Sequence, residues 1–501
     1  VTGKGRPGVA HVGGQSGFFA GVGAFEHGRL PVRQGVEHEG HLDAVAGPKT
    51  VVRRCPIKPI HPSSAPGGVQ PLGKLIDTAA KGRVAQHAAQ HLGRVIAAGA
   101  LLLSLSSAIA QTAISTLAGS SPAIASGNVN ATGTAARFNA LASVAVDSTG
   151  DIYVADASNH TIRKVTAAGV VTTLAGSGVA GAANGTSAAA SFRFPQGVAT
   201  DNTNVYVADT YNHAIRKIVI NTGVVTTLAG TVGTSGLANG TGVAATFNNP
   251  LGLAVSGTDL YVADTGNHSI RKIVISSGAV TTFAGTAGTN GFADGTGVLA
   301  TFKNPGAIAA DGTTTLYVAD TANHTIRKIV IAGGGVVTTL AGTGNGTGGS
   351  TDSTGAAASF KLPGGLVVSG ANLFVADTGN NTLRQIVLGT GVVTTIAGSA
   401  GAIGTTDAIG TSARFQGPTG IGVSTGGTLY IADTNNHTLR TGAAAAAPTV
   451  TNPAAATVAV GANPTFTVTT TGNPTPTIQW ERQAANTTGF AAISASATYT
   501  G

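Results

Sequence analysis

The sequence is long, apolar and rich in glycine, and its charge is unevenly distributed. Of its 501 residues, 42% are apolar, 10% are charged and 74 are glycine, a mixture too apolar for a disordered chain and too rich in glycine for a helical one. Nearly all of the net charge of +8 arises in residues 1–110, where 12 Lys and Arg accompany 5 Asp and Glu, whereas residues 111–501 hold 16 and 15. We therefore expect no nucleic-acid partner, and the single Cys55 excludes a disulfide framework.

The N-terminal fifth of the chain is not expected to belong to the folded protein. Residues 1–80 show no apolar period, and we predict an unstructured or mistranslated extension. Residues 81–110 combine basic residues, a short apolar run from Val95 to Leu105 and small residues up to Ala110, which indicates a signal peptide. The run is too short to span a bilayer comfortably. We expect a mature protein that begins near Gln111, is secreted or held in the cell envelope, and has no transmembrane segment.

From Gln111 onward one unit recurs six times at a spacing of 53 to 57 residues. In each copy an apolar strand leads into an Asp-x-x-Asn-His turn or its near equivalent, and a second strand follows that begins Ile-Arg-Lys in four copies and Leu-Arg in the last two. In the third copy the pattern predicts strands at 250–257, 259–264, 270–275 and 279–285. Four strands repeated six times predict an all-β fold, a six-bladed β-propeller in which each sheet is one blade.

The two ends of the repeat region predict how the ring closes. The sixth copy stops at the Ala-rich residues 442–448 without its last strand, whereas ISTLAG at residues 114–119 matches that missing strand. We therefore predict a propeller over residues 111–442 in which an N-terminal strand completes the last blade and leaves no open sheet edge there.

The repeated motif resembles the NHL repeat, and the resemblance covers about residues 112–442. Two positions depart from the pattern: Asn381 replaces the usual His, and Leu141 replaces the Pro of the Phe-x-x-Pro sequence that begins the other blades. The resemblance implies a propeller fold. It also implies a range of functions, which in this family includes bacterial sensor and envelope domains, animal cell-surface and RNA-binding proteins and, more distantly, an amidating lyase.

The repeated turns are the most prominent polar features of the sequence. They could form a ring of carboxylates and imidazoles that binds a metal or an anionic partner, or they could hold the turn backbone by hydrogen bonds. A feature shared by every blade serves folding first, so we predict a structural role and no catalytic, cofactor-binding or metal-binding residues. The predicted turn residues are Asp156, Asn159, His160, Asp209, Asn212, His213, Asp264, Asn267, His268, Asp320, Asn323, His324, Asp377, Asn380, Asp433, Asn436 and His437.

The function predicted from these features is non-catalytic binding. The inner strands contain no His or Glu, and Asp147, Asp201 and Asp311 at their ends are interpreted as turn residues. Long connections such as residues 230–249 and 285–304 lie on the same face as the repeated turns, where they either bind a partner or form regular structural turns. We expect a monomeric propeller that binds an extracellular protein, peptide or glycan through contacts of weak salt dependence. The alternative is an enzyme of lyase or lactonase-like type.

The C-terminal residues are expected to belong to a different domain. Residues 443–448 read as a linker, and residues 449–501 read as short strands with Trp480 in the third. This pattern is typical of the opening of an immunoglobulin-like sandwich, which needs roughly 100 residues.

Overall fold

The computed structural model describes residues 112–120, 125–344 and 346–443, together with the backbone of four short strands nearer the C terminus. Residues 112–443 form six antiparallel sheets of four or five strands, and in five of them four strands consecutive in the chain lie side by side. The predicted all-β six-bladed propeller is confirmed.

The first half of the propeller consists of the closing strand and blades one to three. The closing strand is β1 (Ile114–Ala118), and blade one contains β2 (Leu141–Val146), β3 (Ile152–Asp156), β4 (Thr161–Val165) and β5 (Val171–Ala175). Blade two contains β6 (Gly185–Thr186), β7 (Pro195–Thr200), β8 (Asn204–Asp209), β9 (Ala214–Val219) and β10 (Val224–Ala229). Blade three contains β11 (Gly240–Thr241), β12 (Pro250–Ser256), β13 (Asp259–Asp264), β14 (Ser269–Val274) and β15 (Ala279–Ala284).

The second half consists of blades four to six. Blade four contains β16 (Gly295–Thr296), β17 (Ala307–Asp311), β18 (Thr315–Asp320), β19 (Thr325–Val330) and β20 (Val336–Ala341). Blade five contains β21 (Ser353–Thr354), β22 (Gly365–Ser369), β23 (Asn372–Asp377), β24 (Thr382–Val387) and β25 (Val392–Gly398). Blade six contains β26 (Pro418–Val423), β27 (Thr428–Asp433) and β28 (Thr438–Ala443).

The helical elements are single turns that connect these strands. Each second strand is followed by a 3-10 turn, and each long connection contains another. The turns after the second strands are Ala157–Asn159, Thr210–Asn212, Thr265–Asn267, Thr321–Asn323, Thr378–Asn380 and Thr434–Asn436. Those in the connections are Gly133–Ala135, Ser187–Ala189, Gly242–Ala244, Gly297–Leu299, Gly355–Ala357 and Gly410–Ser412, and one further turn covers Ala332–Gly335. None of the helices among the described residues is long and apolar enough to cross a membrane.

Blades two to five have one strand more than the sequence predicts. In each of them a two-residue strand from the preceding connection pairs with the outermost strand, as Gly240 and Thr241 pair with Val280 and Ala279 in blade three. Pairs this short leave no periodic pattern in a sequence. The long connections are therefore partly structural, because they cover the outer edge of the next blade.

The strands are apolar on both faces because each blade packs between two others. In β13, Leu260, Tyr261, Val262 and Ala263 are all buried, as expected for a sheet covered on both sides. One core cluster joins Tyr206 and Ala208 of blade two with Leu260 and Val262 of blade three, and five similar clusters occupy other spaces in the ring.

Strand β1 completes blade six, as predicted. It pairs antiparallel with β28, with Ile114 opposite Gly442, and the sheet order is β1, β28, β27, β26. The backbone N–H of the preceding Thr112 donates to the Ile396 carbonyl of blade five, and its carbonyl accepts from the N–H of Gly410 in the next connection. Residues from the two ends of the repeat region therefore share one sheet.

Several predictions concern residues outside the described part of the chain. These are the extension at 1–80, the signal peptide at 81–110, nearly all of the linker at 443–448 and most of residues 449–501, including Trp480. The four short C-terminal strands form two pairs, β29 (Thr449–Val450) with β30 (Thr470–Thr471) and β31 (Glu481–Gln483) with β32 (Phe490–Ala492). Two such pairs do not make a sandwich, so the immunoglobulin-like domain stays a prediction.

Candidate functional site

Each repeated turn holds a buried carboxylate that organises the start of its blade. In blade three Asp264 ends β13, and its Oδ1 accepts the backbone N–H of Asn248, 2.7 Å away. Its Oδ2 accepts hydrogen bonds from Asn267 Nδ2 and from the Arg271 guanidinium, both at 2.8 Å. The Asp264 and Arg271 side chains are fully buried. The same set recurs in every blade, with Asp156, Asp209, Asp320, Asp377 and Asp433 paired to Arg163, Arg216, Arg327, Arg384 and Arg440.

The buried arginine joins this turn to the preceding connection. Arg271 donates through its second terminal nitrogen to the Asn239 Oδ1 at 2.8 Å and to the Ala238 carbonyl, while its guanidinium lies over the Phe247 ring. The equivalent connection residues are Asn130, Asn184, Asp294, Asp352 and Asp407. These partners were missed from the sequence. The sequence does show an Asn or Asp that recurs in each connection. It does not show that this residue bonds to the arginine about 32 residues later.

The histidine of each turn bonds to the neighbouring blade. His213 adopts the left-handed conformation (φ 53°), and its Nδ1 accepts the backbone N–H of Asn249, the residue before the first long strand of blade three, at 3.1 Å. His160, His268, His324 and His437 accept in the same way from Phe194, Asn304, Leu362 and Ala140. The His437 contact links blade six to blade one and so closes the ring a second time.

Asn381 fills the histidine position in blade five without loss of this contact. Its Oδ1 accepts the N–H of Gly417 at 2.8 Å, and its φ of 58° matches that of the histidines. Asn is among the few residues that tolerate the left-handed region, and it also carries an acceptor. The departure in the repeat pattern therefore preserves the link between blades.

Burial and neighbouring charges set the protonation states of these turns. Burial raises the pKa of Asp377 to about 6, although the Lys361 N–H, Asn380 and Arg384 lower it. Burial lowers the pKa of every turn histidine, and nearby cations lower it further at four of them. An Nδ1 that accepts an N–H carries no proton, so each histidine is neutral and its proton lies on Nε2.

The predicted turn aspartates at the other end of the blades also have local partners. Asp147 accepts from Thr149 and from the Tyr153 hydroxyl, and these bonds lower its pKa although its burial would raise it. Asp201 accepts from the Tyr206 hydroxyl in the same way. The described residues contain no group of three or more His, Cys, Asp or Glu side chains arranged to hold a metal ion.

The blades differ from one another on one surface of the propeller. We call it the turn face: the six Asp-x-x-Asn-His/Asn turns together with the two residues that follow the Phe stacked on each buried arginine. The first of those two residues varies as Asn139, Arg193, Asn248, Lys303, Lys361 and Gln416, and the middle turn residue varies as Ser158, Tyr211, Gly266, Ala322, Gly379 and Asn435. Positions that vary between repeats are free of the requirements that all blades share.

Blade two, together with His160 of blade one, carries the only aromatic cluster at these variable positions of the described turn face. Phe194 contacts the His160 ring edge to face, with ring centres 4.7 Å apart, and the Tyr211 ring at 5.0 Å. Arg193 beside them is exposed, and the three rings are partly exposed. Phe194 has a φ of 49°, a costly conformation for a bulky residue. We name His160, Arg193, Phe194 and Tyr211 the blade-two patch.

Comparison with known proteins agrees with the repeat pattern. A model of the family described as "NHL repeat" matches residues 138–165, 192–218, 247–273 and 415–441, which lie in blades one, two, three and six. The chain contains NHL repeats. Four blades of the NHL propeller therefore match the family model. The other two, blades four and five, have the same strands and the same buried ion pair.

Proteins of known sequence and structure resemble the NHL propeller at moderate identity. It is 28% identical over 330 residues to NHL repeat-containing protein 2 of Gallus gallus, an alignment that covers 59% of this chain and 45% of that protein. It is 28% identical over 277 residues to the chloroplastic protein SUPPRESSOR OF QUENCHING 1 of Arabidopsis thaliana, covering 53% and 26%. The chain thus spans less than half the length of these relatives.

A solved structure shares the fold. A protein of unknown function from Bacteroides thetaiotaomicron superposes with a TM-score of 0.51 at 19% identity, and the match covers 66% of this chain and 76% of that one. At this identity the likeness concerns the fold alone.

Proposed function

We propose that the NHL propeller is a non-catalytic binding module, secreted or held in the cell envelope, whose partner docks on the turn face. The observation that carries the proposal is the blade-two patch, which departs from the repeat at three neighbouring positions. Aromatic residues and arginine dominate the energetics of protein interfaces. The partner classes are an extracellular protein, a peptide or a glycan.

Contacts within the repeats favour binding over catalysis. The six turn aspartates, which are the carboxylates that lie beneath the turn face, are each ion-paired with a buried arginine. The imidazoles hold the seams between blades through Nδ1. A lyase or lactonase-like enzyme is the alternative, and it needs converging acid and base groups that are free to react.

The experiment is a screen of peptide and glycan arrays with the full chain, followed by a patch variant. The variant Arg193→Asn/Phe194→Asn/Tyr211→Gly replaces the blade-two patch residues with those at the same positions of blade three, Asn248, Asn249 and Gly266. We expect an array ligand that binds the parent and is lost from the variant. The control is Lys217→Gln, which removes a charge from β9 of the same blade. The proposed site would be refuted if no array ligand bound the parent, or if a ligand bound the patch variant and the Lys217→Gln control equally well.

The proposed location has its own test. The signal-peptide prediction implies that peptides from residues 1–80 are absent from the mature protein. Mass spectrometry of the medium and of the envelope fraction of the natural host should find peptides from residues 111–443 there. Recovery of the chain from the cytoplasm alone, with residues 1–80 attached, would contradict the location.

A further inference from the structure

The exposed charged side chains of the turn face are all positive. Arg193, Lys303 and Lys361 are exposed on blades two, four and five, and none of them takes part in an ion pair among the described residues. The aspartates beneath them are buried and neutralised by arginine. The half-exposed Asp294, Asp352 and Asp407 lie in the connections, each bonded to a buried arginine. From the sequence alone we expected binding of weak salt dependence, because the charges were summed over residues 111–501 rather than placed on a face.

The imidazoles add hydrogen-bond donors to this surface. Because each Nδ1 accepts an N–H from the next blade, the neutral ring carries its proton on Nε2. The five turn histidines are partly exposed, and the structure shows no partner for any Nε2 among the described residues. The turn face therefore offers cations and N–H donors, with no free carboxylate of its own.

The blade-two patch adds an apolar component next to one of the cations. Phe194 and Tyr211 present partly exposed rings, and the Arg193 guanidinium is the side chain best suited to a bidentate contact with a carboxylate. Three cations on three of six blades are too sparse for a polyphosphate, whose binding requires a dense basic surface. The chemistry on this face suits a carboxylate-bearing partner with an apolar side chain nearby.

We infer that the turn face binds an acidic peptide segment, with carboxylates of the segment on Arg193, Lys303 and Lys361 and an apolar side chain against Phe194 and Tyr211. This inference rests on the proposed function and names the class of partner for the same site. Under this inference the affinity should depend clearly on salt, in place of the weak salt dependence expected from the sequence, since exposed ion pairs weaken as ionic strength rises.

The test uses four labelled probes with the full chain, followed by fluorescence anisotropy. The probes are short peptides of mixed Glu and Leu, of Gln and Leu, and of Lys and Leu, together with oligouridine RNA. We expect the Glu-Leu peptide to bind at least about tenfold more tightly than the other three, the scale of one interface hot spot. Its affinity should fall when salt is raised.

The patch variant Arg193→Asn/Phe194→Asn/Tyr211→Gly locates the site. We expect it to weaken Glu-Leu binding by about tenfold or more and to melt no lower than the parent, since Asn tolerates the left-handed φ of residue 194. The variants Lys303→Gln and Lys361→Gln should each weaken binding less, whereas Lys217→Gln should leave it unchanged. A residue with a purely structural role would instead lower the melting temperature without a selective loss of the acidic probe.

The remaining outcomes separate this inference from the proposed function. Equal binding of the Gln-Leu peptide, or no binding of the Glu-Leu peptide while an array ligand still requires the blade-two patch, overturns the acidic partner and leaves the binding module standing. Binding of oligouridine in place of the peptide also overturns it. If the array screen fails as well, the proposed function fails with it.

Discussion

Six buried Asp–Arg ion pairs, one in each blade, are the main polar interactions in the interior of this fold. In blade three Asp264 and Arg271 are fully buried and meet at 2.8 Å. Both Asp264 oxygens and both terminal nitrogens of Arg271 have further hydrogen bonds to the turn and to the connection, whereas the Arg271 Nε is buried without a partner among the described residues. A pair of this kind is costly to break because the partner that remains is a buried charge. The repeat therefore depends on both members together.

The change Asp264→Asn removes one charge and tests this dependence. We expect a loss of about 3 to 5 kcal/mol in the free energy of unfolding, because Arg271 stays buried without a counter-ion. The control is Asp259→Asn in the same blade, whose ion pair with Lys272 is partly exposed at 3.2 Å and should contribute less than about 1 kcal/mol. Urea unfolding of both variants measures the difference. Equal effects would show that the buried pair is replaceable by neutral hydrogen bonds.

The sequence predicted the residues of the turn but not their partners. It showed that Asn381 departs from the repeat, yet the N–H that Asn381 accepts belongs to Gly417, 36 positions later in another blade. Contacts at that separation depend on how blades are stacked, which no local pattern encodes. The blade-two patch was missed for the same reason: Phe194 and Tyr211 are unremarkable until the turn places their rings together.

Strands are the scale at which sequence reasoning worked best. The predicted strand at 259–264 coincides with β13 (Asp259–Asp264), because a two-sided apolar run flanked by turn residues is a strong signal. Strand β1 was predicted at 114–119 because its sequence resembles the last strands of the other blades, and it is observed at Ile114–Ala118. The two-residue edge strands could not be predicted, since they exist only through pairing with the next blade.

The closing strand makes a prediction at this scale. Ile114 is only 4% exposed and packs in the core cluster shared by blades five and six. The change Ile114→Ala should cost about 2 to 4 kcal/mol, as expected for a large-to-small change in a core. Ser115→Ala on the exposed face of the same strand serves as the control and should cost less than about 1 kcal/mol. If both variants melt with the parent, β1 contributes little to closure and the ring is held by other contacts.

At the scale of the whole molecule, each blade is linked to the next by a hydrogen bond from a backbone N–H to a turn side chain. The acceptor is a histidine imidazole at five of these six seams between blades and the amide of Asn381 at the sixth. The folded state lowers the pKa of the five histidines, first by burial and, at all of them except His437, also by the charge of Arg193, Lys303 or Lys361. The unfolded chain therefore binds more protons than the folded one below about pH 6.5. This contribution to stability is complete above that pH and is lost as pH falls through the folded pKa values.

The double change His213→Asn/His268→Asn copies the amide seam of blade five into two other seams. We expect a melting temperature close to that of the parent at pH 8 and a higher one than the parent at pH 5, because an amide accepts the same N–H without titrating. The buried aspartates titrate in both proteins, so the difference between the two curves isolates the imidazoles. Melting curves measured from pH 8 to pH 5 supply the data. Curves that remain parallel would mean that the seams do not respond to protonation.

The pairing of β1 with β28 also has a consequence for the order in which the chain folds. Ser115 and Thr441 share a hydrogen bond across 326 positions of sequence, whereas most strands pair with a neighbour formed a few residues earlier. Contacts between distant parts of a chain form slowly, and synthesis delivers the N-terminal part first. During translation β1 has no sheet to join until blade six emerges. We expect docking of β1 to be the slow final step of refolding, and the exposed edge of blade six to be the stage most prone to aggregation.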